Sequence, residues 1–416
     1  MTSETTEPRD AYVWVWLPGA RDPVVAGLLE QASRGGRITF TYASSYRARP
    51  DAISLFEPEL PLEPGRIAPR HGVIASCLRD ASPDTWGRRV IVSRWPDPTV
   101  DDLGELTYML ESGSDRIGGL DFQASPTDYV PRDRGQAALA DLEGAARAFE
   151  EGEPIPEALI DALAHGTSIG GARPKALLSD GDRHLIAKFS SSNDRFPVVK
   201  GEFVAMTLAR QAGLNVATVE LTETHGRDVL LIERFDRPPA GGRRLIVSAL
   251  TMLGIDELDA AFASSYADLA AVIRDRFHDP VDTLRELFAR ITFNILCSNI
   301  DDHARNHAAF WDGRLLTLTP AYDVCPQARA GGEVRQAMAI GSDGWRYSQL
   351  TGCVERASEY LPGRTAETDA RQIIDHQVAT IRDGWKDACD RARLTSRERD
   401  EFWERQFLNP YAFYGY

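Results

Sequence analysis

Three side chains in one stretch have the types and spacing that phosphoryl transfer requires: Asp301, Asn306 and Asp323. Moving a phosphoryl group asks little covalent chemistry of a protein. It asks for Mg²⁺ to neutralise phosphate charge and for hard oxygen ligands to hold the ion. It also asks for one carboxylate kept off the metal to orient the attacking hydroxyl. Asp301 suits the base; Asn306 and Asp323 suit the ligands. The bland reading is a solvated loop capping a helix, with Asp301 and Asp302 as surface acids. A metallohydrolase using His303, His307 and the aspartates is a further reading, since the two histidines at i, i+4 would share a helix face.

The flanking elements favour phosphoryl transfer. Leu284, Leu287, Phe288, Ile291 and Ile295 recur at helical spacing, which predicts an amphipathic helix facing a core. The apolar pattern stops, and Asn299, Asp301, Asp302, His303, Arg305 and Asn306 form a polar knot. Two strands are predicted next, Ala308 to Trp311 and Leu315 to Leu318, joined by an Asp312-Gly313 turn. The second leads through Pro320 to Tyr322 and Asp323. A strand at Ala308 speaks against a helix carrying both histidines. Helix, polar loop, hairpin, acid is the order in which protein kinases set their catalytic residues, and the five-residue step from Asp301 to Asn306 matches the spacing of that loop.

The 416 residues predict two lobes or two to three domains. Hydrophobic content of 43% and charged content of 26% are those of a globular protein. No apolar run reaches the length of a membrane span, and MTSETTEPRD does not read as a signal peptide, so a cytoplasmic chain is expected. The five cysteines lack C-x-x-C spacing and read as reduced thiols without a zinc site. A net charge of −15 argues against autonomous binding to nucleic acid or anionic membrane. Among 47 basic residues only four are lysine, and Lys175, Lys188 and Lys200 fall in one short segment. Codon bias explains the arginine excess but not that clustering. A compact ammonium suits phosphate.

Residues 1–10 read as a disordered tail and 11–125 as a β-rich subdomain, with strands at YVWVWL and RITFTY. A helix is predicted from SPDTWGRR, with Ser82 as N-cap, Pro83 at the first position and Asp84 in the first turn. A second short helix is expected over Leu103 to Leu110. Trp86 and Arg88 read as structural. Pro126 to Ala158 is a polar, alanine-rich linker with one helix, within a segment 126–247 that completes the N-lobe. Residues 248–416 are expected to form a helical C-lobe.

Between His165 and Phe189, a loop of small residues (Gly166, Ser168, Gly170, Gly171) runs into a strand with Lys175. A turn at Asp180-Gly181 and a strand with Lys188 follow. Glycines let backbone N–H groups approach phosphates. The loop is neither a Walker A sequence nor a kinase G-x-G-x-x-G, and by itself a hairpin turn would explain it. A helix from Lys200 to Ala212 carries Glu202, which could pair with a strand lysine. Strands are predicted over Val216 to Thr222 and Asp228 to Phe235. ERFDR (233–237) is placed as the hinge between lobes, its backbone in position to hold adenine.

In order along the chain, SIGGARPK, AKF, ARQAGLNV, ERFDR, DDHARN and LTPAYD resemble the HipA family of bacterial serine/threonine kinases, the toxins of type II toxin–antitoxin modules. SPDTWGRR and GSDRIGGLDF resemble segments of its N-terminal subdomain. The resemblance implies an α+β, two-lobed protein-kinase-like fold using ATP and Mg²⁺. It implies Asp301 as proton acceptor and Asn306 and Asp323 as Mg²⁺ ligands. Gly170, Gly171, Ala172, Arg173, Pro174, Lys175, Lys188, Glu233, Arg234, Phe235, His303 and Tyr322 would line the ATP site with them. Ser168 stands where the family autophosphorylates, and a dianion there would repel bound triphosphate. Asp302 stands where some relatives have Gly, and Pro174 removes one potential phosphate donor.

The resemblance also implies partners: a helix-turn-helix, HipB-like antitoxin, often dimeric, and a protein substrate in translation such as glutamyl-tRNA synthetase. DNA would be reached only through the antitoxin. C-terminal helices are expected over Ala366 to Arg393 and Ser396 to Phe407. A small-molecule phosphotransferase on the same fold, or a catalytically silent antitoxin-binding regulator, are the alternative readings.

Overall fold

The computed structural model of the chain describes residues 7–33, 35–95, 102–132, 137–156, 159–160, 163, 173–191, 194, 196–256, 264–329 and 332–416. It divides into two compact units, one of residues 1–191, 234–247 and 310–314, the other of 192–233, 248–309 and 315–416.

The first unit is built on an antiparallel sheet of five strands: β1 (Asp10–Val15), β2 (Val24–Gln31), β3 (Ile38–Tyr42), β4 (Arg66–Ile67) and β5 (Leu120–Gln123), in the order β4-β3-β2-β1-β5. Val13, Trp14 and Val15 of β1 are all buried, so both faces of this strand are covered. β-branched and aromatic residues fill such a doubly covered surface well. β1 starts at Asp10, and Glu7 just before it accepts a hydrogen bond from Gly104 N–H at 3.2 Å.

Helix α1 (Thr85–Ser93) follows the sheet's first strands, but its cap is not the expected one. Asp84 is the N-cap, its Oδ1 accepting from Gly87 N–H at 2.6 Å. Ser82 lies too far upstream and donates to Glu105 of helix α2 (Glu105–Glu111) instead. Asp84 wins because only the residue directly before the helix can reach the orphan N–H groups of its first turn. Trp86 is buried and Arg88 forms an ion pair with Glu105, in line with structural roles. The linker helix α3 spans Leu139–Glu151. Strands β6 (Lys175–Asp180) and β7 (Arg183–Phe189) form a hairpin whose register sets Lys175 opposite Lys188.

The second unit opens with α4 (Val198–Gln211), which ends before Gly213 (φ +87°), and with the hairpin of β8 (Val219–Thr224) and β9 (Arg227–Glu233). Both strands run later or stop earlier than expected. β9 ends at Glu233, and the next N–H, of Arg234, donates to His184 O. Helices α5 (Tyr266–Arg276), α6 (Pro280–Leu296), α7 (Ala366–Arg391) and α8 (Ser396–Phe402) make up the bulk. The predicted stripe of α6 is buried throughout. Gln377 of α7 clamps this helix, accepting from Thr292 Oγ1 at 2.9 Å and donating to Ala289 O at 2.7 Å. α8 is fixed by a capping box of Thr395 and Glu398 and stops at Phe402, well short of Phe407, where Trp403 turns extended. Strands over Ala308–Trp311 and Leu316–Leu318 follow α6 as expected, the second starting one residue late. Among the described residues, no helix is long and apolar enough to cross a membrane, and all five cysteines are buried and outside any disulfide.

Candidate active site

The polar knot is a loop hung from the end of α6. The helix closes at Leu296 and Ser298 takes a left-handed φ of +54°, which turns the chain out of the helical path. Asn299 then folds back: its N–H donates to Asn294 O at 2.8 Å and its Nδ2 to Asn294 Oδ1 at 3.0 Å. Residues Ala304–Asn306 form one turn of 3₁₀ helix, and the strand from Ala308 begins immediately afterwards. So His303 and His307 do not share an α-helical face, and the i, i+4 metal pair that such a face would give does not form. Among the described residues no cluster of three His, Cys, Asp or Glu could hold a metal ion.

Adjacent carboxylates in this loop have opposite environments. Asp301 is exposed, whereas Asp302 is 3% exposed. Asp302 Oδ2 accepts from Tyr266 Oη at 2.5 Å, Asn294 Nδ2 at 2.7 Å and His307 Nε2 at 2.8 Å. Burial works to raise the pKa of Asp302, but His307 and the hydroxyl of Tyr266 outweigh it and hold the group below the usual carboxylate range. As an ionised carboxylate it only accepts, which makes Nε2 the proton-bearing nitrogen of His307. Asp301 moves the other way. Partial burial and the nearby charges of Asp323 and Asp302 raise its pKa, against the opposing influence of His303. A carboxyl with a raised pKa and an open face is a better proton acceptor than an ordinary surface aspartate.

Asn306 is buried and its Nδ2 donates to Asp301 O at 3.3 Å, which leaves its side-chain oxygen as the free end of the amide. Asp323 sits in the left-handed region (φ +57°), where its backbone O accepts from Cys325 N–H at 2.9 Å and from Asn299 Nδ2 at 3.4 Å. An amide oxygen and a carboxylate, both hard donors and both tied to the loop of Asp301, fit Mg²⁺. That ion is commonly held by one or two protein ligands together with substrate phosphates, not by a full protein cage. His303 is half-buried at the start of the 3₁₀ turn, and Tyr322 donates its hydroxyl to Arg305 O at 2.7 Å.

In the first unit, Lys175 is 1% exposed and its Nζ stands 2.5 Å from Asp84 Oδ2. Lys188, half-buried, faces it across the hairpin. Directly opposed like charges are unfavourable, so the Asp84 carboxylate offsets that repulsion. Pro174 O accepts from Phe189 N–H at 3.2 Å, and Arg173 leads into this strand. Ser168, Gly170, Gly171 and Ala172 lie outside the described residues. In the second unit, Lys200 is a strut between Asp228 and Glu398, each at 3.5 Å, and Glu202 of α4 is buried.

The ERFDR segment is more than a strand exit. Arg234 is buried and reaches Asp236 at 2.8 Å and Asp115 at 3.0 Å; Arg237 reaches Asp115 at 2.6 Å and Asp236 at 2.8 Å. Asp236 also accepts from Gly118 N–H at 2.7 Å. Burial works to raise the pKa of Asp236, but Arg234 and Arg237 hold it down. The Arg234 guanidinium is therefore committed to these acids, and its N–H donates to His184 O at 2.9 Å. Phe235 packs edge-on against Phe310, ring centroids 5.9 Å apart, and Glu233 ends β9 half-buried. Sequence reasoning gave Asp84 only a place in the first turn and missed Asp115, Tyr266 and Asn294. The one available signal was the dense run of Asp and Arg in SDRIGG and ERFDR, too many charges to be explained by strand ends.

The chain is similar to known proteins along most of its length. The profile of the HipA-like C-terminal domain matches residues 167–385, and that of the HipA N-terminal domain residues 15–123. The Sinorhizobium fredii protein Y4mE, a kinase by designation, is 27% identical over 316 residues, 66% of this chain and 74% of that protein. The serine/threonine-protein kinase toxin HipA of Shewanella oneidensis is 27% identical over 184 residues, 38% of this chain and 42% of that one. Among solved structures, a chain of the Shewanella oneidensis complex of HipA, HipB and operator DNA superposes with a TM-score of 0.70 at 18% identity. That superposition covers 96% of this chain and 99% of the other. The likeness is one of fold, an α+β architecture of the kinase-like kind.

Proposed function

The chain belongs to the HipA family, and on that premise we propose that it is an ATP- and Mg²⁺-dependent protein serine/threonine kinase, the toxin of a type II toxin–antitoxin module. One observation carries the reading: of two adjacent aspartates, Asp302 is buried and accepts three hydrogen bonds while Asp301 is exposed with a raised pKa. A surface loop of ordinary acids has no reason to separate neighbours in this way.

Asp301 orients the acceptor hydroxyl and takes its proton. Asn306 and Asp323 would hold Mg²⁺, which supplies neutralisation of phosphate charge when bound with the nucleotide. Arg173 to Lys175, Lys188 and the 233–235 backbone serve the nucleotide, with His303 and Tyr322 at the loop. The substrate is a seryl or threonyl side chain of a translation protein, such as an aminoacyl-tRNA synthetase. Ser168 takes a phosphate from the same site, and its charge then competes with nucleotide for the loop. A dimeric helix-turn-helix antitoxin neutralises the kinase in the cytoplasm and provides its link to DNA, consistent with a net charge of −15.

The test is intact-mass and phosphopeptide analysis of the purified chain after Mg-ATP, beside Asp301→Asn. Phosphate on Ser168 in the wild type alone supports the reading. ATP binding without any phosphate incorporation, into the chain or a co-incubated lysate, points instead to a small-molecule kinase or a silent regulator. Loss of ATP binding removes the kinase reading altogether.

A further inference from the structure

We propose that Asp302 is a positioning residue of this site: its buried carboxylate is the anchor that fixes the loop bearing Asp301 and Asn306. This rests on the kinase reading above.

The anchor gathers donors from three places in the second unit. Tyr266 comes from the first turn of α5, Asn294 from the last turns of α6 and His307 from the end of the 3₁₀ turn, directly before the following strand. All three donate to the same oxygen, Asp302 Oδ2. Asn294 enters the loop and His307 leaves it, so one carboxylate oxygen pins both ends of the segment that carries the base and a metal ligand. The tie extends further. Asn294 Oδ1 accepts from Asn299 Nδ2, and that same amide donates to Asp323 O. A continuous set of buried side chains therefore connects the backbone of Asp323 with the peptide carrying Asp301. His307 is itself held from behind, its O accepting from Ala249 N–H at 2.7 Å and its ring lying edge-on to Tyr266.

Asp302 is 3% exposed, so its carboxylate acts through the loop. A positioning error of about 1 Å costs a catalytic step on the order of a hundredfold. The expected signature is therefore a loss in kcat without a matching change in nucleotide affinity. An amide at this position still offers an oxygen to the three donors; a methyl group does not.

The experiment measures ADP formation from Mg-ATP by the full chain, with kcat and KM(ATP) determined well below each variant's Tm. In Asp302→Ala, kcat should fall ten- to a hundredfold with KM(ATP) changed less than about threefold. Asp302→Asn should recover most of the loss, and Tyr266→Phe should lose severalfold in kcat alone. A folded Asp302→Ala with wild-type kcat overturns the proposal, and so does a fall confined to Tm. Should Asp302→Ala not fold, Tyr266→Phe decides: unchanged kcat overturns the anchor, reduced kcat at constant KM(ATP) supports it. Wild-type chain that forms no ADP removes the kinase reading and the anchor's role with it. An active wild type beside an equally active Asp302→Ala removes the anchor alone.

Discussion

Lys175 Nζ and Asp84 Oδ2 stand 2.5 Å apart, both side chains buried, although 91 residues separate them in sequence. Asp84 spends its other oxygen on the first turn of α1, so one carboxylate caps a helix and neutralises a buried ammonium. The strand that leaves the glycine loop is thereby fastened to the β-rich part of the first unit.

Asp84→Ala should destabilise the chain by about 3–5 kcal/mol, because it breaks a buried ion pair and removes a helix cap. Chemical denaturation followed by tryptophan fluorescence measures this. In a double-mutant cycle with Lys175→Met, part of the loss should be regained, since neither charge of this pair then remains buried. Additive losses would show that the two side chains do not act as a pair.

Asp301→Asn should reduce phosphoryl transfer by about 10²–10⁴-fold, the usual contribution of a general base. It should also raise Tm slightly at neutral pH in the metal-free chain. The sign follows from the raised pKa of Asp301: its stabilising contribution is present below the ordinary carboxylate value and is lost as pH rises through the higher folded value. At neutral pH the ionised group is a net cost, and the amide removes it. A scanning calorimetry trace with a lower Tm for Asp301→Asn would contradict this.

Asn306→Ala and Asp323→Asn should each raise the Mg²⁺ concentration for half-maximal activity on the order of tenfold or more, with folding intact by circular dichroism. Asp323 carries an additional constraint: its φ is +57°, a conformation that Asn tolerates better than β-branched replacements do. Asp323→Val should therefore lose stability as well as metal affinity.

Acid should unfold the first unit through its ion network. Asp236 and Asp121 are fully buried; burial works to raise both, but Arg234 and Arg237 hold Asp236 below the usual range, as Arg116 and Arg132 hold Asp121. Their contribution is present above the unfolded carboxylate value of about 4 and is lost as pH falls through the lower folded values. Asp236→Asn should cost about 3–5 kcal/mol at pH 7 and flatten the acid limb of the stability curve. An acid limb as steep as that of the wild type would show that Asp236 stays outside this linkage.

What the sequence by itself determined was local. The stripe on α6, the polar loop, the Asp312-Gly313 turn and the five-residue step from Asp301 to Asn306 are all spacings along one chain, and helical or strand periodicity reads them directly. The fold class followed from the order of those elements and from the motifs shared with the family. Helix ends were less legible, as Asp84 and Phe402 show, because caps depend on which side chain reaches an orphan N–H or carbonyl. The tertiary structure alone decided that Asp302 turns inward while Asp301 faces out. It alone decided that Lys175 meets Asp84, and that Arg234 and Arg237 enclose Asp236 and Asp115. Each pairs a charge with partners that no periodic spacing announces, several of them distant in sequence. Burial makes such pairing obligatory, since a charge withdrawn from water persists only where opposite charge or hydrogen bonds replace its hydration.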